Sequence, residues 1–87
     1  MNLDIKKEAM SGSLQSNDCI VRIYPSDGYF ISIESILINE CRDEIEKAVE
    51  DTLKSLGINK IRLELNDNGA LDSTISYRIK KAVERSI

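Results

Sequence analysis

Hydroxyl groups are concentrated in one short stretch near the start of the chain. Residues 11–18 read Ser-Gly-Ser-Leu-Gln-Ser-Asn-Asp, with three serines and a single apolar residue, Leu14. Small polar residues of this kind are typical of an exposed loop or a strand edge. The stretch is the most accessible group of hydroxyls in the chain, although its composition alone indicates only a polar loop.

A serine that acts as a nucleophile needs a base to remove its proton, and histidine is the usual one. The chain contains no histidine, which excludes a Ser-His-Asp or Cys-His arrangement. We therefore expect that the chain is not an enzyme by itself and that other proteins catalyse any reaction in which it takes part.

Metal and thiol chemistry has little support in the sequence. Cys19 and Cys41 form no Cys-x-x-Cys pair, and both fall at half-buried or core-facing positions, where cysteine behaves as a small hydrophobic residue. Residues 64–69 partly resemble a calcium loop, but Ile75 stands where such a loop needs a glutamate. We expect no metal site, and a plain turn explains residues 64–69.

Composition limits the classes of partner. The 87 residues are enough for one domain, and 41% hydrophobic with 5% aromatic residues predicts an aliphatic core without a large ligand pocket. A net charge of −3 disfavours nucleic acid. No apolar run approaches the roughly 18 residues that cross a membrane, and Lys6, Lys7 and Glu8 are unlike a signal peptide. We expect a cytoplasmic protein that binds neither nucleic acid nor membranes.

The first half of the chain has two strand signals. Residues 1–10 show no sustained period and are assigned to a flexible N-terminal arm or a short edge strand, which leaves residues 11–87 as the folded domain. Residues 19–24 and 29–33 are rich in β-formers, and a Pro-Ser-Asp-Gly turn separates them. They are predicted to form a hairpin.

A helix, a strand and a second helix follow. Residues 38–56 carry apolar side chains at helical spacing, and Gly57 is the predicted C-terminal cap. Residues 60–65 alternate strictly, with Ile61, Leu63 and Leu65 facing inward: Lys-Ile-Arg-Leu-Glu-Leu.

The last helix is predicted to begin after a cap at Asp67 or Asn68 and to bury Leu71, Ile75, Ile79, Ala82 and Val83. The predicted class is α+β, a small mixed β-sheet with two helices packed on one face, in the order β-β-α-β-α.

Two motifs in the correct order resemble the acyl carrier, or gamma, subunit of citrate lyase. Residues 12–18 are similar to the Gly-Thr-Leu-Glu-Ser-Ser-Asp segment of that family, and a Val-Arg-Ile strand follows in both. Residues 66–72, Asn-Asp-Asn-Gly-Ala-Leu-Asp, are similar to the family's Asp-Asp-Lys-Gly-Ala-Leu-Asp. The resemblance spans residues 9–85.

Some positions depart from the family pattern. Gln15 and Asn17 stand where the family often has Glu and Ser, and Ser76 replaces the first arginine of an Arg-x-Arg pair whose second member is Arg78. The pair Asp72-Ser73 is similar to the Asp-Ser-Leu attachment site of fatty-acid acyl carrier proteins, but the strand signals contradict the all-helical fold of that family.

The resemblance implies a function. Ser16 would carry 2'-(5''-phosphoribosyl)-3'-dephospho-coenzyme A through a phosphodiester, which makes the chain a phosphoprotein. The thiol of this arm would hold acetyl and citryl groups as thioesters while citrate is cleaved to acetate and oxaloacetate. The implied partners are the alpha subunit (acyl transferase), the beta subunit (citryl lyase) and the transferase that attaches the arm.

Two alternatives remain open. The acyl carrier subunit of malonate decarboxylase is similar in fold and has a related arm. A small α+β interaction module without any arm is the alternative from a different functional class.

Overall fold

The computed structural model of the chain describes residues 3–87 and contains four strands and two helices within that range. In chain order they are β1 (Ala9–Gly12), β2 (Asp18–Tyr24), β3 (Tyr29–Ser35), α1 (Ile38–Ser55), β4 (Ile61–Asn68) and α2 (Asp72–Ser86). The α+β class and the mixed sheet are confirmed. The predicted order lacked β1, whose sequence Ala-Met-Ser-Gly has no β-branched or aromatic residue to reveal it.

The sheet has the spatial order β1-β2-β4-β3. Strands β1 and β2 are antiparallel, as are β2 and β4, whereas β3 and β4 are parallel. The predicted hairpin of β2 and β3 is therefore wrong, because β4 lies between them. The connection between β2 and β3 leaves a gap one strand wide between them. Helix α1 then leads the chain back, and β4, the strand with the most regular alternation in the sequence, occupies that gap.

The core lies between one face of the sheet and the two helices. Helix α1 packs against β3 and α2, and α2 packs against β1 and β2. The predicted inner residues of β4, namely Ile61, Leu63 and Leu65, are all buried. Each such side chain contributes about 1.5 to 3 kcal/mol by leaving water. Helix α2 buries its predicted stripe with one exception: Leu71 precedes the helix and is exposed.

The ends of the helices test two caps that were predicted from the sequence. Gly57 has φ +71°, its N–H donates to Lys54 O, and Ile58 N–H donates to Leu53 O, each at 3.1 Å. This is a Schellman motif, so the predicted glycine cap is confirmed. The predicted cap of α2 at Asp67 or Asn68 is wrong, because β4 continues through both residues and α2 begins only at Asp72.

The residues before β1 form hydrogen bonds at the C-terminal ends of both helices. Leu3 N–H donates to Gly57 O at 3.1 Å, Lys6 N–H donates to Ser86 O at 2.9 Å, and Ile5 is buried. Residues 1 and 2 of the predicted arm lie outside the described residues, and the domain boundary at residue 11 stays a prediction. Within residues 3–87, no helix is both long enough and apolar enough to cross a membrane.

Candidate functional site

Three segments meet at one end of the sheet, where β2 begins and where β3 and β4 finish. Hydrogen bonds join them there: Asn17 N–H donates to Asn68 O at 2.9 Å, and Ile36 N–H donates to Asp67 O at 3.3 Å. We call this region, residues 13–18, 35–41 and 66–74, the serine end. It unites the two sequence motifs, which are separated by about fifty residues in the chain.

Ser16 lies at the tip of the connection between β1 and β2. Asp18 N–H donates to Gln15 O at 3.2 Å, which closes a four-residue turn with Ser16 second and Asn17 third. Asn17 has φ +63°, a left-handed conformation that asparagine tolerates better than most residues and that suits the third position of a type II turn. Ser16 is exposed, and its hydroxyl forms no hydrogen bond within residues 3–87.

The neighbouring serines differ from Ser16 in their surroundings. Ser11 is buried, and its hydroxyl donates to Arg78 O at 2.7 Å. The Ser13 hydroxyl donates to the Asp18 carboxylate at 2.7 Å. The hydroxyls of Ser11 and Ser13 are thus engaged in hydrogen bonds, whereas the Ser16 hydroxyl has no hydrogen-bond partner among residues 3–87.

The base of the turn depends on a glycine. Gly12 has φ +100°, and a Cβ added there would overlap the carbonyl oxygen of Cys19. That same oxygen accepts a hydrogen bond from Ser13 N–H at 3.1 Å. Only glycine allows the two strands to approach this closely at the start of the turn.

An ion pair fixes the turn to α2. Arg78 donates from Nε and Nη2 to the two oxygens of Asp18, at 3.0 and 2.8 Å. The same carboxylate accepts from Ser13 and from Cys19 N–H, the latter at 2.7 Å. The hydrogen bond from Arg78 is the main reason that the pKa of Asp18 falls to about 2, and the carboxylate correspondingly raises the pKa of Arg78. Asp18 therefore remains charged and is a poor base at neutral pH.

The second motif supports the turn from the other side. Asn68 Nδ2 donates to Leu14 O at 2.9 Å. Asp67 is buried, and its carboxylate accepts from the Ser35 hydroxyl at 2.7 Å and from Ala70 N–H at 2.9 Å. Residues at the end of β4 therefore help to fix the conformation of the serine-containing turn.

Sequence reasoning proposed Ser16 as the attachment site, which stays a prediction, and missed the residues that hold its turn. It noted Arg78 only as a family match, gave no role to Asp18, and assigned Asn68 only a possible cap of α2. We expected an exposed loop or a strand edge around Ser16; the structure has an exposed turn that is closed by a hydrogen bond and anchored on both sides. At the position of the missing arginine, the Ser76 hydroxyl shares a 3.0 Å hydrogen bond with Thr52 between the two helices.

The cysteines occupy packing positions, as predicted. Cys19 is completely buried, and burial raises the pKa of its thiol to about 12, with Asp18 and Asp67 adding to the effect. Cys41 is half-buried on α1. A thiol with such a pKa stays protonated near neutral pH, so Cys19 is not a reactive thiolate.

Residues 6–86 match the family model of acyl carrier proteins described as "Malonate decarboxylase delta subunit (MdcD)". A citrate lyase acyl carrier protein of Treponema denticola is 40% identical over 97% of both chains. That of Clostridium perfringens is 42% identical over 97% of this chain and 85% of its own length. The fold is similar to a chain in the crystal structure of a Pseudomonas malonate decarboxylase hetero-tetramer with malonate, with a TM-score of 0.79 and 17% identity, covering 97% of this chain and 88% of that one.

Proposed function

The chain belongs to the citrate lyase acyl carrier protein family, and from this premise we propose that Ser16 carries a covalent arm which holds acyl groups for citrate cleavage. The proposed arm is 2'-(5''-phosphoribosyl)-3'-dephospho-coenzyme A, joined to the serine through a phosphodiester. When attached, it supplies a thiol that carries acetyl and citryl groups as thioesters.

The observation that supports Ser16 most strongly is its exposed hydroxyl, which has no hydrogen-bond partner in the described part of the chain and lies on an anchored turn. A covalent attachment site must be reachable by a second enzyme and must not be needed for the fold. Ser16 meets both requirements. The bonds of Asp18 and Asn68 hold the backbone on either side, so that the hydroxyl has a defined position.

Attachment to Ser16 is a phosphoryl-type transfer. A bond forms between Ser16 Oγ and a phosphorus atom of an activated phosphoanhydride precursor, the anhydride P–O bond breaks, and the phosphate leaving group departs. The hydroxyl proton must pass to a base. The carboxylate of Asp18 is unsuitable because Arg78, Ser13 and its own strand occupy it and keep its pKa near 2. We therefore assign the base to the transferase.

The division of labour follows from this assignment. The alpha and beta subunits of citrate lyase would exchange acetyl for citryl and then cleave the citryl group, in the cytoplasm, while this chain supplies position only. A tether converts repeated binding of free coenzyme into an intramolecular encounter, with effective concentrations in roughly the millimolar range. A small rigid domain that leaves the tether outside its core suits this role.

One alternative has specific support. The matching family model and the structural neighbour are both described as malonate decarboxylase proteins. We prefer citrate lyase because the relatives with that name share 40% and 42% of residues with this chain, whereas the malonate decarboxylase chain shares 17%.

Reconstitution tests the choice between the two complexes. The chain carrying the arm is mixed separately with the other subunits of citrate lyase and of malonate decarboxylase. We expect citrate-dependent release of oxaloacetate in the first mixture and no decarboxylation of malonate in the second. Activity in the second mixture alone would assign the chain to malonate decarboxylase, and a chain that never acquires an arm would support an interaction module.

A further inference from the structure

Three large apolar side chains of the serine end are more than half exposed to solvent. Leu14 is 53% exposed, Ile36 is 68% exposed and Leu71 is 71% exposed. Ile36 reaches across to the second motif, where a Cβ built at Gly69 would lie 3.8 Å from Ile36 Cδ1. We call the three side chains the apolar collar. Exposed apolar side chains that gather in one region of a surface are typical of a site that binds another protein.

The charges of the serine end all have the same sign. Its three segments contain four acidic residues and no lysine or arginine. Asp18 is paired with Arg78, and Asp67 is buried, which leaves the exposed carboxylates of Glu40 and Asp72 without a basic neighbour in these segments. A partner that covers the apolar collar would be complementary if its own rim were basic.

We infer that the apolar collar is the docking surface of the transferase that attaches the arm, an inference that rests on the proposed function. The transferase must bring its active site onto the Ser16 hydroxyl, so it has to cover the side chains beside it. The lyase subunits, in contrast, reach a thiol at the far end of the arm. The transferase also binds a precursor with several phosphates, so its active-site mouth must be cationic and would match the acidic serine end.

Steady-state kinetics of arm attachment test the inference, with purified transferase, its precursor and carrier variants. We expect Ile36→Ser combined with Leu71→Ser to lower kcat/KM at least tenfold, mainly through a higher KM. Phe30→Ser is the matched control: Phe30 is 60% exposed and pairs with Arg62 at the opposite end of the sheet, roughly 20 Å from the collar. It should stay within twofold of the wild type.

Folding and charge are checked separately. All variants should retain the wild-type Tm within about 2 °C, because the replaced side chains are exposed. If the serine pair fails to fold, Ile36→Ala with Leu71→Ala should still show a loss of at least threefold. Asp72→Asn should weaken attachment about threefold at low salt and not at ~0.5 M NaCl.

A binding measurement separates docking from chemistry. A Ser16→Ala carrier, which cannot be modified, should bind the immobilised transferase as well as the wild type, and adding the two collar substitutions should weaken binding at least tenfold. If the wild type is modified and the collar variants are modified with the same kinetics, the inferred docking surface is overturned and the proposed function stays intact. Failure of the wild type to be modified would overturn both. A dimer of the chain that only the collar substitutions dissociate would assign the collar to self-association and overturn the inference.

Discussion

Replacing Asp18 by asparagine tests whether the ion pair with Arg78 stabilises the turn. An exposed ion pair contributes up to about 1 kcal/mol, whereas breaking a fully buried one costs about 3 to 5 kcal/mol. The side chains of Asp18 and Arg78 are 14% and 30% exposed, and the carboxylate also accepts from Ser13 and from the backbone N–H of Cys19. We therefore expect Asp18→Asn to lower the free energy of unfolding by about 1 to 3 kcal/mol at pH 7.

The pH dependence sharpens this prediction. The pKa of Asp18 is about 2 in the folded protein, below the ordinary value of 3.8, because Arg78 donates to the charged form. The carboxylate thus stabilises the fold above about pH 4, and this contribution disappears as the pH falls from about 4 towards 2. Urea denaturation should show a constant difference between wild type and Asp18→Asn from pH 5 to pH 8, and a smaller one at pH 3.

Asp43→Asn is the control for a change of charge alone, because Asp43 is exposed on α1. It should alter the free energy of unfolding by less than about 0.5 kcal/mol. Equal stability of Asp18→Asn and wild type at pH 7, or a difference that persists unchanged at pH 3, would contradict the role assigned to the ion pair.

Two further predictions concern the core and the thiols. In denaturant melts, Leu63→Ala should lower the free energy of unfolding by about 2 to 5 kcal/mol, because Leu63 is buried. Lys60→Ala is the control and should change the free energy of unfolding little, because Lys60 is exposed. Equal, small effects of both substitutions would mean that the inner face of β4 is misassigned. A double variant with Cys19→Ala and Cys41→Ala, once it carries the arm, should still be acetylated to the wild-type level by mass spectrometry. Loss of acetylation in a folded double variant would place the acyl group on a protein thiol.

The sequence was sufficient where a local pattern has one structural solution. Strict alternation over β4 predicted its buried face, and Gly57 after an amphipathic stretch predicted the end of α1. The sequence was insufficient where the pairing of strands depends on residues that lie far apart in the chain. Nothing in β2 or β3 indicates that β4 will lie between them, and Leu71 fits the spacing of α2 although the helix begins one residue later.

The candidate site likewise has one part that the sequence predicted and one part that it did not. The position of Ser16 came from resemblance to a family, since composition alone gave only a polar loop. The contacts that hold its turn join Asp18 to Arg78 and Leu14 to Asn68, pairs that lie 60 and 54 residues apart. No local pattern marks such pairs. From the sequence alone, an arginine or asparagine on a helix or strand is expected to be exposed to solvent, and only the folded structure shows which residue it contacts.

The central proposal is that Ser16 receives the arm, and intact mass with peptide mapping tests it most directly. The wild type, Ser16→Ala, Ser13→Ala and Ser73→Ala are each incubated with the cognate transferase and precursor. We expect one added arm mass on the wild type, mapped to Ser16, and the same mass on the Ser13 and Ser73 variants. Ser16→Ala should fold normally and gain nothing. A wild type that stays unmodified, or a Ser16→Ala chain that still gains the arm, would contradict the assignment.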